Sequence, residues 1–211
     1  MPSHSIATYD PDWSGFGDLL VINEDFVAPS QGFGRHLHEN MEILSYVVEG
    51  ALEHRDSSGG SGVIRPNELQ RMSAGTGISH SEFNPSPTER THFLQIWILP
   101  EKDGLKPEYE QREFPEGGRR GRLRLMASRD GADGSVTIHQ NVNLYDAVLS
   151  AGDEAFHQLA GGRRAWVQVI KGTVTLNSIP LEAGDGAAIS DETSLRIRAT
   201  RESEILLFDL P

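Results

Sequence analysis

Two short stretches constrain this chain more than anything else in it. One is Gly32-Phe-Gly-Arg-His36-Leu-His38, and the other is Gly77-Ile-Ser-His80-Ser-Glu82. His36 and His38 are two residues apart, and so are His80 and Glu82. In a β-strand, side chains two apart share a face, so each pair presents two donor groups to one side of its strand. If the two strands face each other, three imidazoles and one carboxylate converge. That donor set suits a divalent transition metal such as iron, nickel, copper or zinc. A lone His-x-His in a strand is more often a chance or solvent-facing pair, and His-Ser-Glu alone is weaker still. It is their joint occurrence, each framed by glycines and strand-like runs, that points to a metal.

The same residues resemble the two signature boxes of the cupin superfamily. His36, His38, Glu42 and Gly50 match the first box, although Ser30 stands where that box usually begins with Gly. Gly77, His80 and Asn84 match the second. The likeness narrows to the pirin family through Gly77-Ile-Ser-His-Ser-Glu82 with Asn84-Pro-Ser86, Tyr46-Val-Val-Glu-Gly50, Leu52-Glu-His-Arg-Asp-Ser57 and Leu94-Gln-Ile-Trp97. Pro107-Glu-Tyr-Glu-Gln111 is similar to its short bacterial branch, which includes quercetin 2,3-dioxygenase-like proteins. The resemblance covers nearly the whole chain and thins after Asn143. It implies His36, His38, His80 and Glu82 as metal ligands. Glu42, the usual fourth ligand of other cupins, is left out.

Composition narrows the class. At 211 residues the chain can hold one large or two small domains. Nineteen Lys and Arg against 31 Asp and Glu give a net charge of −12, which argues against a nucleic-acid-binding surface. The cluster Arg119, Arg120, Arg122 and Arg124 reads as a solvated linker. There are no cysteines, which removes disulfides, thiolate metal sites and cysteine nucleophiles together. No apolar run approaches a membrane span, and the N-terminus lacks a secretory pattern. A soluble, cytoplasmic monomer is expected.

Helical periodicity is sparse, while short β-rich runs and Gly/Pro turns recur, which favours an all-β fold. Residues 1 to 18, with Tyr9, Trp13 and Phe16, read as a lead-in lying across a sheet. Leu19–Ile22 is a short strand, with a turn at Asn23-Glu-Asp25. Glu42–Val48 and Ala51–Asp56 are strands about the turn at Glu49-Gly50. Ser57–Gly62 is a flexible loop, and residues 63–72 form a strand pair about Pro66-Asn67. Ser73–Gly77 is a glycine turn but not a phosphate loop, because no Gly-Lys-Ser/Thr follows. Residues 91–99 form a buried strand, Glu101–Arg122 an extended connection, and Leu123–Met126 and Ser135–His139 short strands.

The second half repeats the first. Aligning Gly172 of Val169-Ile-Lys-Gly172 with Gly50 of Val47-Val-Glu-Gly50 places Gln158 and Ala160 where His36 and His38 stand. The chain is therefore read as a bicupin of two tandem double-stranded β-helix (jelly-roll) barrels. Residues 1–122 form a metal-binding barrel with its connecting segment, and residues 123–211 a degenerate barrel without ligands. Among the remaining histidines, His54 is the main competitor as a ligand but stands alone in its strand. His92 and His157 are read as structural.

The resemblance implies a metal-dependent dioxygenase that opens the central ring of a flavonol with O2 and releases CO. Iron is the first choice of metal, with nickel, copper, manganese and zinc compatible. Glu82 is the candidate catalytic base as well as a ligand, and Phe33, Tyr46 and Trp97 are candidate pocket walls. Two alternatives are a non-catalytic, metal-containing partner-binding protein and an isomerase-type or small-molecule-binding cupin using the metal as a Lewis acid. A fold alone does not separate these.

Overall fold

The computed structural model describes residues 15–211, so the Tyr9 and Trp13 part of the expected lead-in lies outside the described residues. The chain divides into two compact units, Met1–Glu113 with Val136–Gln140, and Phe114–Ser135 with Asn141–Pro211. The fold is all-β. Its helical elements among the described residues are two single 3-10 turns, at Glu116–Gly118 and Ala132–Gly134.

The first unit holds β1 (Leu19–Val27), β2 (Gly32–His38), β3 (Glu42–Glu49), β4 (Leu52–Asp56), β5 (Ser61–Ile64), β6 (Glu68–Ser73), β7 (Ile78–Phe83), β8 (Thr91–Ile98) and β9 (Glu108–Glu113). They form two antiparallel sheets, ordered β1-β8-β3-β6-β9 and β2-β7-β4-β5. Apolar residues from both sheets meet between them: Val27, Val47 and Phe93 from one, Leu52 and Ile64 from the other, with Phe33 packed against the cluster. Each such side chain, fully buried, contributes about 1.5–3 kcal/mol. The second unit contains β10 (Arg124–Ser128), and β11 (Val136–Thr137) returns to the first. It continues with β12 (Asn143–Leu149), β13 (Glu154–Gln158), β14 (Arg164–Lys171), β15 (Thr173–Leu176), β16 (Ile179–Glu182), β17 (Gly186–Ile189), β18 (Ser194–Ala199) and β19 (Ser203–Leu210).

Eight strands of the second unit repeat eight of the first. The order β12-β19-β14-β17 matches β1-β8-β3-β6, and β13-β18-β15-β16 matches β2-β7-β4-β5. Gly50 and Gly172 occupy the same turn in the two copies, with φ of +77° and +84°. A Cβ at Gly50 would lie 2.6 Å from the Arg90 carbonyl oxygen, and one at Gly172 would lie 2.2 Å from that of Glu202. Only glycine meets both the left-handed backbone and the close approach. The inward faces differ. Where β7 buries His80 and Glu82, β18 buries Leu195, Ile197 and Ala199, which join the apolar core of that unit.

Several local expectations are corrected. Asn23–Asp25 continue β1, and the chain turns only after Val27. Within Glu101–Arg122, Glu108–Glu113 is not a linker but the edge strand β9, paired along β6. Residues 61–64 and 68–73 are strands, yet β5 pairs with β4 and β6 with β3, so they lie in different sheets. Arg119 is not solvated: it is buried and donates to Asp146 Oδ2 at 2.7 Å and Glu204 Oε1 at 3.1 Å. No helix among the described residues is long and apolar enough to cross a membrane.

Candidate metal centre

The inner face of β2-β7-β4 carries the site. His36 pairs across the ladder with His80, His38 with Ile78, and Phe33 with Glu82. From Phe33 to His36 is three residues, while from Glu82 back to His80 is two. One extra residue is therefore accommodated at Gly34-Arg35 as a β-bulge. The bulge reverses the side-chain phase. Phe33 faces inward to pack edge-on to Phe93, with ring centroids 6.3 Å apart, and His36 and His38 still face inward beyond it. Strict alternation from Phe33 would have turned Arg35 and Leu37 inward instead; Leu37 is exposed.

The three imidazoles converge. Ring centroids lie 4.8 Å apart for His36 and His38, 4.3 Å for His36 and His80, and 4.9 Å for His38 and His80. One donor atom from each lies within 4.8 Å of the others. A second triad, His54, His80 and Glu82, meets the same limit, so His80 belongs to both and links Glu82 to the cluster. His80 and Glu82 are fully buried, whereas His36 and His38 on the edge strand β2 are partly exposed, which opens the cluster on that side.

A cation fits this arrangement. His38 Nε2 and His80 Nε2 are buried with no hydrogen-bond partner, a costly condition that a metal would relieve. His36 Nδ1 lies 2.8 Å from the Gly34 carbonyl oxygen, which can only accept, so its Nε2 carries the lone pair. Burial, reinforced by the charge of neighbouring His36, pushes the His38 pKa down to about 4. Burial and then His36, His54 and His38 push His80 down to about 3. Both rings are thus neutral donors near neutral pH.

Glu82 is held at both oxygens. Ser45 Oγ donates to Oε1 at 3.2 Å, and Gln95 Nε2 donates to Oε2 at 2.6 Å. Trp97 Nε1 in turn donates to Gln95 Oε1 at 3.2 Å, and the Trp97 ring stands edge-on to His38 with centroids 5.1 Å apart. Burial raises the Glu82 pKa to about 7 against the opposing bonds from Gln95 and Ser45. Ser45 lies in none of the family stretches, and Gln95 lies in Leu94-Gln-Ile-Trp97 with no role assigned to it. The inward phase of Ser45 on β3 is the signal that could have found it.

Other candidates fall elsewhere. Glu42 is buried and accepts the His139 backbone N–H at 3.2 Å. His92 lies 2.7 Å from Glu24 Oε1 and stacks on Phe26. His157 lies 2.9 Å from Asp209 Oδ2 in the second unit. Tyr46 is buried, and Trp97 is the expected wall residue that touches the cluster. His54, read as standing alone, is not alone: its Nε2 meets Asp56 Oδ2 at 3.0 Å, and its Nδ1 lies 3.4 Å from His80 Nδ1.

Comparisons with known proteins agree with this frame. Residues 5–98 match the family model described as pirin, and residues 125–210 match the quercetinase C-terminal cupin domain. The chain is 50% identical over 203 residues to the quercetin 2,3-dioxygenase of Escherichia coli strain K12, covering 96% of this chain and 87% of that one. It is 38% identical over 203 residues to a pirin-like protein of Caulobacter vibrioides, covering 95% and 87%. The crystal structure of the E. coli bacterial pirin YhhW in complex with nickel(II) superposes with a TM-score of 0.91 at 50% identity, covering 98% of this chain and 89% of that one. Similarity of this extent across both units places the chain in a family: it is a pirin, a bicupin with its histidine cluster in the first unit.

Proposed function

We propose that this pirin is a metal-dependent dioxygenase of the quercetinase type, with one divalent metal held by His36, His38, His80 and Glu82. The observation that carries the reading is the pair of buried, partnerless imidazole nitrogens, His38 Nε2 and His80 Nε2, beside a buried carboxyl. The name and nickel complex of the E. coli relatives support it. A bound divalent metal supplies Lewis-acid and redox chemistry for O2 and for the adjacent hydroxyl and keto oxygens of a flavonol. Iron is the first metal to test from the family resemblance, and nickel the second.

The protein's own groups do the rest. Gly34 fixes the His36 ring, and Ser45 and Gln95 aim Glu82. Trp97 walls the cluster against His38. Glu82, buried beside the histidine cluster, is the carboxylate placed to accept the flavonol hydroxyl proton. The more exposed β2 side gives a planar phenolic its approach. The overall reaction opens the central ring with O2 and releases CO.

The test is oxygen uptake on adding quercetin to iron(II)- or nickel(II)-loaded protein, with His80→Ala as control. Uptake by the wild type alone supports the reading. No uptake at verified metal occupancy with either ion sinks the flavonol assignment.

A further inference from the structure

The His54–Asp56 pair lies just behind the ligand cluster, on strand β4. Leu52, His54 and Asp56 are the inward residues of β4, with His54 opposite Glu82 and Asp56 opposite His80 in the ladder. Asp56 is fixed first. Its Oδ1 accepts the Ser58 backbone N–H at 2.8 Å, Ser58 Oγ–H at 2.7 Å and the Gly60 N–H at 3.0 Å. Those donors order the turn that was expected to be a flexible loop. They leave Oδ2 for His54 Nε2, at 3.0 Å.

The tautomers then follow in sequence, each from a partner that can only accept. Asp56 Oδ2 accepts a hydrogen bond from His54 Nε2–H. Neutral His54 therefore presents a lone pair at Nδ1. His80 Nδ1, 3.4 Å away, must be the N–H that faces it. That leaves the lone pair of His80 on Nε2, the buried atom without a partner.

The bacterial-branch motif Pro107–Gln111 closes the far side. The Tyr109 ring lies against His54, with centroids 5.2 Å apart and a tilt of 33°. Its hydroxyl donates to Gln111 Oε1 at 2.6 Å, and Gln111 Nε2 donates to Val63 O at 3.1 Å and Glu68 Oε2 at 3.0 Å. The glycine loop makes room. A Cβ at Gly60 would fall 2.2 Å from Asp56 Oδ2, and one at Gly62 would fall 2.5 Å from the Tyr109 hydroxyl.

Resting on the metal-site reading above, we infer that Asp56 and His54 are positioning residues for the metal: they set the tautomer and ring orientation of His80 so that its Nε2 is the ligand. Tyr109 and Gln111 hold His54 in that pose from behind. Partners of this kind typically tune metal affinity 10- to 100-fold.

The experiment measures cobalt(II) affinity by chelator competition, together with the exchangeable, hyperfine-shifted ring N–H signals of the cobalt(II) protein. Asp56→Asn is nearly isosteric. Ser58 and Gly60 keep its carbonyl oxygen, so its NH2 faces His54 Nε2 and forces the opposite His54 tautomer. The expected result is an affinity about 10- to 100-fold lower, with loss of the slowly exchanging His80 Nδ1–H signal. In a His54→Phe background, Asp56→Asn should then cost little more, because the two act in series. Wild-type affinity in Asp56→Asn overturns the inference. So does an equal loss with and without His54, which would mark Asp56 as a loop anchor only. Should Asp56→Asn fail to fold by circular dichroism, His54→Phe decides, and wild-type affinity with the signal retained overturns the inference. Failure of the wild type itself to bind cobalt(II) would overturn the metal-site reading instead.

Discussion

His36 stands directly opposite His80 in the β2–β7 ladder, with ring centroids 4.3 Å apart. Two features allow this. The bulge at Gly34-Arg35 puts His36 in phase with His80, and Gly32 lets β2 lie close against β7. A Cβ at Gly32 would fall 2.2 Å from the Glu82 carbonyl oxygen and 2.6 Å from Phe83 Cα. Gly32→Ala must therefore push the two strands apart. We expect it to cost about 1–3 kcal/mol of stability and to weaken metal binding at least about tenfold, read by denaturant unfolding and metal titration.

The pH dependence of metal affinity should follow Glu82. Its folded pKa, raised to about 7, keeps the metal-free carboxyl protonated below that pH. A metal needs the carboxylate, so affinity should rise with pH from about 5 to 7 and then level. His38 and His80, at about 4 and 3, are already neutral over that window. Glu82→Gln should remove this part of the slope, as measured by calorimetry across pH.

The same shift acts on the metal-free fold. A carboxyl whose folded pKa exceeds its ordinary 4.5 favours the folded state at low pH, and that contribution is lost as pH rises toward 7. His38 and His80, with depressed values, work the other way: their contribution is present above 6.5 and lost as pH falls toward 4 and 3. Thermal scans of metal-free protein should show Glu82→Gln gaining stability relative to wild type between pH 4.5 and 7. No relative gain would contradict the buried, raised carboxyl.

Gln95 links Glu82 to Trp97. Gln95→Leu removes the donor to Glu82 Oε2 and leaves the buried carboxylate with Ser45 on its other oxygen. The midpoint of the pH–affinity curve should move upward, and affinity at neutral pH should fall about tenfold. An unchanged curve would show that Gln95 does not support the ligand.

Phe93 is fully buried between the sheets with Val27, Val47, Leu52 and Ile64. Phe93→Ala should cost about 3–5 kcal/mol in denaturant unfolding. A loss under about 1 kcal/mol would mean that the site collapses around the cavity.

The same-face pairs His36–His38 and His80–Glu82 were legible in the sequence because period-two spacing needs only local alternation, and the tandem repeat was legible in Gly50 and Gly172. What stayed hidden depended on partners far along the chain. The bulge that sets the phase of His36 shows only against β7. Asp56 two residues from His54 was a readable same-face pair, but the contact with His80 needed the β4–β7 register. Glu108–Glu113 reads as polar linker because an edge strand buries little, and Arg119 reads as solvated because Asp146 and Glu204 are remote in sequence.

The most direct test of the account is metal stoichiometry after loading with nickel(II) or iron(II) and desalting, for wild type, His36→Ala, His80→Ala and Glu82→Ala. We predict one equivalent per chain in the wild type and near-complete loss in His36→Ala and His80→Ala, with Glu82→Ala weakened. Retention of a full equivalent by His80→Ala would contradict the claim that the β2–β7 cluster is the metal centre.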